Sequence, residues 1–370
     1  MTTHVFIVND RSFKTHLKYM FAGTGAGEKD VDFNGCATSA LHPASENSLI
    51  MMMSDFSRVR TGDFVIFYVQ SSFGSEGKFY GIYKIAGDPF LEFNIEKQYL
   101  FDELGKNLTF RVLIEPYKVY AEGVAEWEAL DRISDIQSPN QMIWSLIYRK
   151  LKGNRGNTMI TIYEAERLFR LIKKKNNNSE IAGNSYTYDG HRQVVSDDLP
   201  EKYSGNTDIK FSIIPRLIYK KRTGRAYESH LQMFITQNIG RYESLDNALG
   251  VKGKNIEWIG NEVSCGVGMQ RIDIMLSHII DDTEKEVVPI ELKAVPASKN
   301  NVRQLARYID WIEQYYIPNR PSSIRPVLIC PASELDRETA EAFKKFNDES
   351  NGRYLPLEYI EVTDNGTAIF

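Results

Sequence analysis

Asp273, Glu291 and Lys293 have the types and spacing that most directly suggest chemistry in this chain. The run Arg271–Leu276 reads as a strand, Asp281–Glu284 as a turn, and Val287–Lys293 as a second strand. About a turn centred near position 282, an antiparallel pairing sets Asp273 opposite Glu291. Lys293, two residues on, shares the face of Glu291, while Leu292 points into the opposite layer. Two acids and a lysine on one face are costly to leave dry and unpaired, and a divalent cation is the simplest group that stabilises them. Hard cations such as magnesium take one or two carboxylates and complete their shell with water and substrate phosphate. The chemistry suggested is metal-assisted phosphodiester hydrolysis. The alternative is a solvated hairpin in which Lys293 is only a cross-strand ion-pair partner. Ile272, Ile274, Leu276, Val287, Val288 and Ile290 weigh against it, because they make this a central strand pair where stray acids are expensive.

Two helices must flank such a hairpin. Glu228–Ile239 carries Leu231, Phe234, Ile235 and Ile239 at helical spacing, with Glu228 on the same apolar face. A carboxylate there needs a partner, and the metal site is one; the other reading is a helix-start acid that complements the macrodipole. Beyond the second strand, Asn301–Tyr316 sets Val302, Leu305, Ile309, Ile312 and Tyr316 on a core face, bordered by Gln304 and Arg307.

Glu228, then Gly268-Met-Gln-Arg-Ile-Asp273, Ile290-Glu-Leu-Lys293 and Arg303-Gln-Leu-Ala-Arg-Tyr308 together resemble the PD-(D/E)XK nuclease superfamily. The helix with Gln304, Leu305 and Tyr308 is similar to the RecB-like nuclease domain of archaeal and actinobacterial mismatch endonucleases. The resemblance spans about residues 206–335 and implies a mixed sheet flanked by helices. It implies Asp273 and Glu291 as metal ligands, and Glu228 as an additional or water-mediated one. Lys293 would position or deprotonate water, or stabilise charge on the phosphate, and Gln304 would steady the scissile phosphate or the lysine. The implied cofactor is Mg2+, with Mn2+ as a substitute. The proline of the superfamily's name is absent, since Ile272 precedes Asp273.

At 370 residues, 42% hydrophobic and 25% charged, the chain has room for two domains of ordinary globular composition. A formal charge of −4 advertises no nucleic acid, so any attraction to DNA must come from local basic patches and bound metal. Cys36, Cys265 and Cys330 are odd in number and widely spaced, which argues against a disulfide framework. The six histidines form no zinc-ligand spacing. Neither a secretory leader nor a long apolar span is read, so the expectation is a cytoplasmic protein with no membrane partner.

A domain boundary is expected after Lys173-Lys-Lys-Asn-Asn-Asn-Ser179. The expected plan is a domain over 1–175, a linker over 176–205 and a second domain over 206–370. The lysine run reads more readily as a helix C-terminus than as a DNA grip. Before it, strands at 62–70, 78–85 and 108–115 and helices near 11–21, 124–134, 140–151 and 161–174 suggest a small α+β barrel. The strings Gly62-Asp-Phe-Val-Ile-Phe-Tyr and Ser71-Ser-Phe-Gly-Ser-Glu-Gly-Lys-Phe-Tyr-Gly-Ile-Tyr resemble the PUA-like group that includes EVE and YTH domains. That resemblance implies a pocket for a modified or flipped base, though no aromatic cage transfers: Trp127 and Trp144 sit in amphipathic helices, where core is the commoner fate.

Arg149, Lys150, Lys152 and Arg155 surround two glycines and could approach a phosphate closely, or form an ordinary basic loop. The segment Thr158–Glu164 reads as a helix start whose amides suit an anion. Lys220–Arg225, with Lys221 and Arg222, could grip the backbone beside the scissile bond. The expectation is therefore a mixed α/β restriction endonuclease that senses modified cytosine in double-stranded DNA and acts as a homodimer there. The alternatives are a mismatch or repair endonuclease, and a restriction enzyme indifferent to modification.

Overall fold

A computed structural model describes residues 1–25, 43–71, 76–92, 97–148, 156–199, 201–208, 212–265, 270–281 and 283–363. The chain divides into two compact units, Met1–Phe211 and Ser212–Phe370.

The first unit opens with β1 (Thr3–Val8), α1 (Asp10–Tyr19), β2 (Phe21–Thr24), α2 (Pro43–Ser57), β3 (Phe64–Val69), β4 (Lys78–Ile85) and β5 (Phe90–Leu91). It continues through α3 (Phe101–Leu104), β6 (Phe110–Pro116), β7 (Val124–Ala125), α4 (Glu126–Leu130), α5 (Trp144–Tyr148), β8 (Asn157–Ile160) and α6 (Ile162–Lys175) to the hairpin of β9 (Tyr186–Tyr188) and β10 (Gln193–Val195). Its sheet runs β2-β6-β4-β3-β1-β8, with β1 parallel to β3 and the other pairs antiparallel. Among the described residues β2 and β8 do not pair with each other, so the small barrel expected from sequence is a half-barrel.

Local chemistry sets the helices of this unit. Asn9 and Ser12 form a capping box that starts α1, and Thr161 with Glu164 starts α6. Leu168 and Ile172 of α6 then pack on Ile66, Tyr68, Phe79 and Ile82 of the sheet. The lysine run ends α6 at Lys175, and Lys175 Nζ donates to Glu128 Oε1 at 2.7 Å. Composition suggested a linker over 176–205, yet its buried Tyr186, Tyr188, Gln193 and Tyr203 tie that segment to the first unit. Gln193 Nε2 donates to the Tyr120 carbonyl at 2.8 Å, and Tyr203 sits between Arg111 and Glu92 at 2.9 and 2.6 Å. Trp127, expected in the core, is 50% exposed.

The second unit comprises α7 (Ile214–Arg222), α8 (Glu228–Asn238), α9 (Glu243–Ala248), β11 (Asn255–Ser264), β12 (Arg271–Ile279), β13 (Lys285–Leu292), α10 (Lys299–Trp311), β14 (Ser323–Ile324), β15 (Val327–Pro331), α11 (Arg337–Asp348) and β16 (Glu358–Val362). Its sheet is mixed: β11, β12 and β13 are antiparallel, β15 and β16 continue in parallel, and β14 pairs with β13. Helix α8 packs on β11, β12 and β13, and α10 packs on β13. Val302, Leu305, Ile309, Ile312 and Tyr316 are all buried, and the last turn of that helix widens into a π-turn over Ile312–Tyr316. Ile274 pairs with Ile290, so one step further along the same register Asp273 stands across from Glu291. Among the described residues no helix is long and apolar enough to cross a membrane.

Candidate active site

The strand ends of β12 and β13 bring the predicted residues together. Glu291 is fully buried, as is its neighbour Leu292, because β13 lies between β12 and β15. Lys293 follows the last residue of β13 and is held by its amide to the Ile329 carbonyl at 2.9 Å. Its Nζ forms an ion pair with Glu291 Oε1 and lies 3.6 Å from Glu228 Oε1. Glu228 is the first residue of α8 and is 43% exposed at its side chain. It therefore faces the site and also complements the helix dipole, so the two readings of this acid are compatible.

Asp273 is partly buried, and its Oδ2 accepts from the Leu292 amide at 2.8 Å. That single contact ties the carboxylate of β12 to the backbone of β13, one residue beyond Glu291. Burial pushes the Asp273 carboxyl well above the usual carboxylate range, the charge of Glu291 adds to it, and the Leu292 amide and Lys293 pull the other way. Burial also raises Glu291, against the pull of Lys293 and the Tyr308 hydroxyl. Burial lowers Lys293, but Glu291, Glu228 and Asp273 outweigh it and the ammonium is held up. A lysine so held is a cation at neutral pH, suited to meeting negative charge and not to taking a proton.

Gln304 does not reach Lys293 directly. Its Nε2 donates to the Tyr308 hydroxyl at 2.7 Å, one helical turn along α10. The hydroxyl is itself 2.7 Å from both Glu291 Oε2 and the Arg271 carbonyl. Gln304 thus acts on the carboxylate pair through Tyr308, a residue whose i+4 spacing from Gln304 was visible in the sequence. Cys265, after β11, is also near: burial and the Glu291 charge push its thiol up to about 12.

Among the described residues no three His, Cys, Asp or Glu side chains stand in position to hold a metal together. Magnesium does not require three, since it commonly takes one or two carboxylates and fills its shell from water and phosphate. The donor set of Asp273 and Glu291 fits that demand: both are hard oxygen ligands at adjoining strand ends, and burial displaces each carboxyl upward.

The basic residues read as nucleic-acid contacts have a different standing. Arg149, Lys150, Lys152 and Arg155 lie outside the described residues. Lys221 and Arg222 end α7; Lys221 Nζ donates to the Val362 carbonyl at 3.1 Å, while Arg222 is exposed. The anion expected at the start of α6 is the protein's own Glu164, which accepts from the Thr161 and Ser145 amides at 2.7 and 3.0 Å. Gln232, Glu262 and Arg271 also adjoin the site, and no periodicity in the sequence marks them.

No family model matches the chain, and no curated protein does. Solved structures similar to it include a hypothetical protein from Leishmania major, at 10% identity and a TM-score of 0.31, covering 47% of this chain and 96% of that one. Human THYN1, solved with DNA containing 5-methylcytosine, gives 8% identity and 0.29 over 47% and 98%. A protein from Pseudomonas putida gives 12% and 0.28 over 46% and 98%. Likenesses this distant say nothing of the substrate of this chain.

Proposed function

We propose that the second unit is a magnesium-dependent endodeoxyribonuclease of the PD-(D/E)XK kind. The observation that carries the reading is the meeting of Asp273, Glu291 and Lys293 at adjoining strand ends, with Glu228 on α8 and the Gln304–Tyr308 pair on α10 closing round them. Bound there, the metal would supply Lewis acidity and an activated water. The residues of the chain do the rest: Asp273 and Glu291 offer the ligand oxygens, Tyr308 fixes the Glu291 carboxylate, and Lys293 meets charge that develops on the phosphate. With Glu291 engaged as a ligand, Lys293, which here pairs with it, would be available to compensate charge on the phosphate.

The first unit is read as a PUA-like module that senses modified cytosine, on the strength of its Gly62–Tyr68 and Ser71–Tyr83 strings. Its Phe13, Phe67, Tyr80 and Tyr83 are core residues and supply no open cage. On double-stranded DNA two copies would act together, since two antiparallel strands need two active sites.

The test is magnesium- and manganese-dependent cleavage of matched plasmids, unmodified and cytosine-modified, by the wild type and by Asp273→Ala and Lys293→Ala. Cutting of modified DNA alone, lost in both variants, is the expected result. Equal cutting of both plasmids overturns the modification reader, and cutting that survives Asp273→Ala overturns the site.

A further inference from the structure

Strand β11 carries one residue with a left-handed backbone where it passes Asp273. Asn261 pairs with Ile274 and Val263 with Ile272, which puts Glu262 directly across from Asp273. Glu262 has a φ of 52°, in the left-handed region that glycine favours and a long side chain seldom adopts. Such a conformation persists only where its surroundings hold it. Here the side chain does the holding. Glu262 Oε1 accepts from Gln232 Nε2 at 3.2 Å, and Glu262 Oε2 pairs with Arg271 Nη1 at 2.9 Å.

Gln232 makes a second contact: the same Nε2 lies 2.9 Å from the backbone carbonyl of Asp273. It sits one turn after Glu228 on α8, on the same face of that helix. One amide therefore touches the strand residue that bears the first acid, from the helix that bears another. Arg271 extends the arrangement, since its side chain is held by Glu262 and its carbonyl lies 2.7 Å from the Tyr308 hydroxyl.

We infer that Gln232, with Glu262 and Arg271, is a positioning clamp that fixes the spacing of Asp273 and Glu228 for a divalent cation. The inference rests on the nuclease reading of the site and adds residues that touch neither metal nor phosphate. Gln232 and Glu262 act through the backbone of Asp273. From the strand opposite, Glu262 meets both Gln232 and Arg271.

The probe is Mn2+, measured by electron paramagnetic resonance as a dissociation constant for the full chain and also as the concentration giving half-maximal cleavage. Gln232→Met keeps the volume and removes the amide; Glu262→Gly keeps the backbone conformation, which glycine adopts readily, and removes the carboxylate. Loss of a group that orients a ligand weakens metal binding by about 10–100-fold. Both variants are expected to show that weakening in both readouts, with melting temperatures close to wild type measured without metal. Wild-type affinity in Gln232→Met and Glu262→Gly overturns the clamp while leaving the nuclease reading intact. Absence of Mn2+ binding by the wild type, matched by Asp273→Ala, overturns both. Weakening in Gln232→Met accompanied by an equal collapse of the metal-free melting temperature in both variants reduces the three residues to packing and overturns the inference.

Discussion

Exchanging the Asp273 carboxylate for an amide removes one of three negative charges that share a single lysine. The acids are Asp273, Glu291 and Glu228, and among the described residues Lys293 is the cation paired with Glu291 and Glu228, so the charge of the four groups falls from −2 to −1 in Asp273→Asn. The shape is kept, and the amide oxygen still accepts from Leu292. Two like charges about 5 Å apart, the usual cross-strand separation, repel by about 3 kcal/mol at an effective dielectric near 20. Lys293 already offsets part of that, so a net gain in stability on the order of 1–2 kcal/mol is expected. In a unit of this size each kcal/mol moves the melting temperature by about 2–4 °C.

The sign of the pH dependence separates this account from simple repacking. A carboxyl raised on folding contributes its stability below its unfolded value, and that contribution is lost as pH rises through the folded value. The advantage of Asp273→Asn should therefore vanish below about pH 4, the unfolded aspartate range, and grow as pH rises above it. Magnesium should narrow it from the other side, because a cation that binds only the folded wild type adds about 2.7 kcal/mol at a hundred times its dissociation constant. The assay is a set of melting curves in EDTA and in magnesium across that pH range. An Asp273→Asn protein that is less stable than wild type in EDTA at about pH 8, or whose gain persists unchanged in acid, would falsify the reading of a charge-strained metal site.

Three other perturbations follow from the same reasoning. Lys293→Ala strands the buried Glu291 carboxylate and should cost on the order of 3 kcal/mol near neutral pH, less in acid where Glu291 protonates; urea denaturation at both pH values checks it, and an unchanged midpoint refutes it. His16 is fully buried on α1 between Phe21 and Phe67, and burial holds its imidazole well below the ordinary value. Its contribution to stability is present above the unfolded value of about 6.5 and lost as pH falls below it, so His16→Phe should flatten the acid limb of the stability curve; parallel limbs in the two proteins overturn this. Arg111 is buried and donates to the carbonyls of Leu108 and Tyr99, both at 2.7 Å, and to the Tyr203 hydroxyl. Arg111→Met leaves those acceptors unpaired and should cost about 3–5 kcal/mol, with faster proteolysis near Tyr203; wild-type protection of that segment would contradict it.

The parts of the second unit that were legible in the sequence are those where one period rules. Strand alternation and a turn at Asp281–Glu284 suffice to set the β12–β13 register, because slipping by one residue would send Ile272, Ile274 and Ile290 to the wrong face. The 3.6-residue period likewise places the core face of α10 and leaves Gln304 at its border. Composition served less well in the first unit. The stretch 176–205 is poor in aliphatic residues and rich in Asn, Ser and Gly, yet a few tyrosines and Gln193 pack it by hydrogen bonds and ring contacts that no hydropathy pattern records. The half-barrel was equally hidden, since strand closure depends on which edges meet in space and not on the sequence of any one strand.

Gln232, Glu262 and Arg271 mark the deeper limit. Each is an ordinary polar residue within an element whose pattern is set by its neighbours, and Glu262 gives no glycine or asparagine to signal the left-handed backbone it adopts. What joins them is a set of hydrogen bonds running from α8 through β11 to β12, which no pattern within one element records. Residues that offer charge to a substrate can be found by their type and face. Residues that hold those charges in place are found only once three separate elements are set side by side, and it is on this second group that the spacing of Asp273 and Glu228 depends.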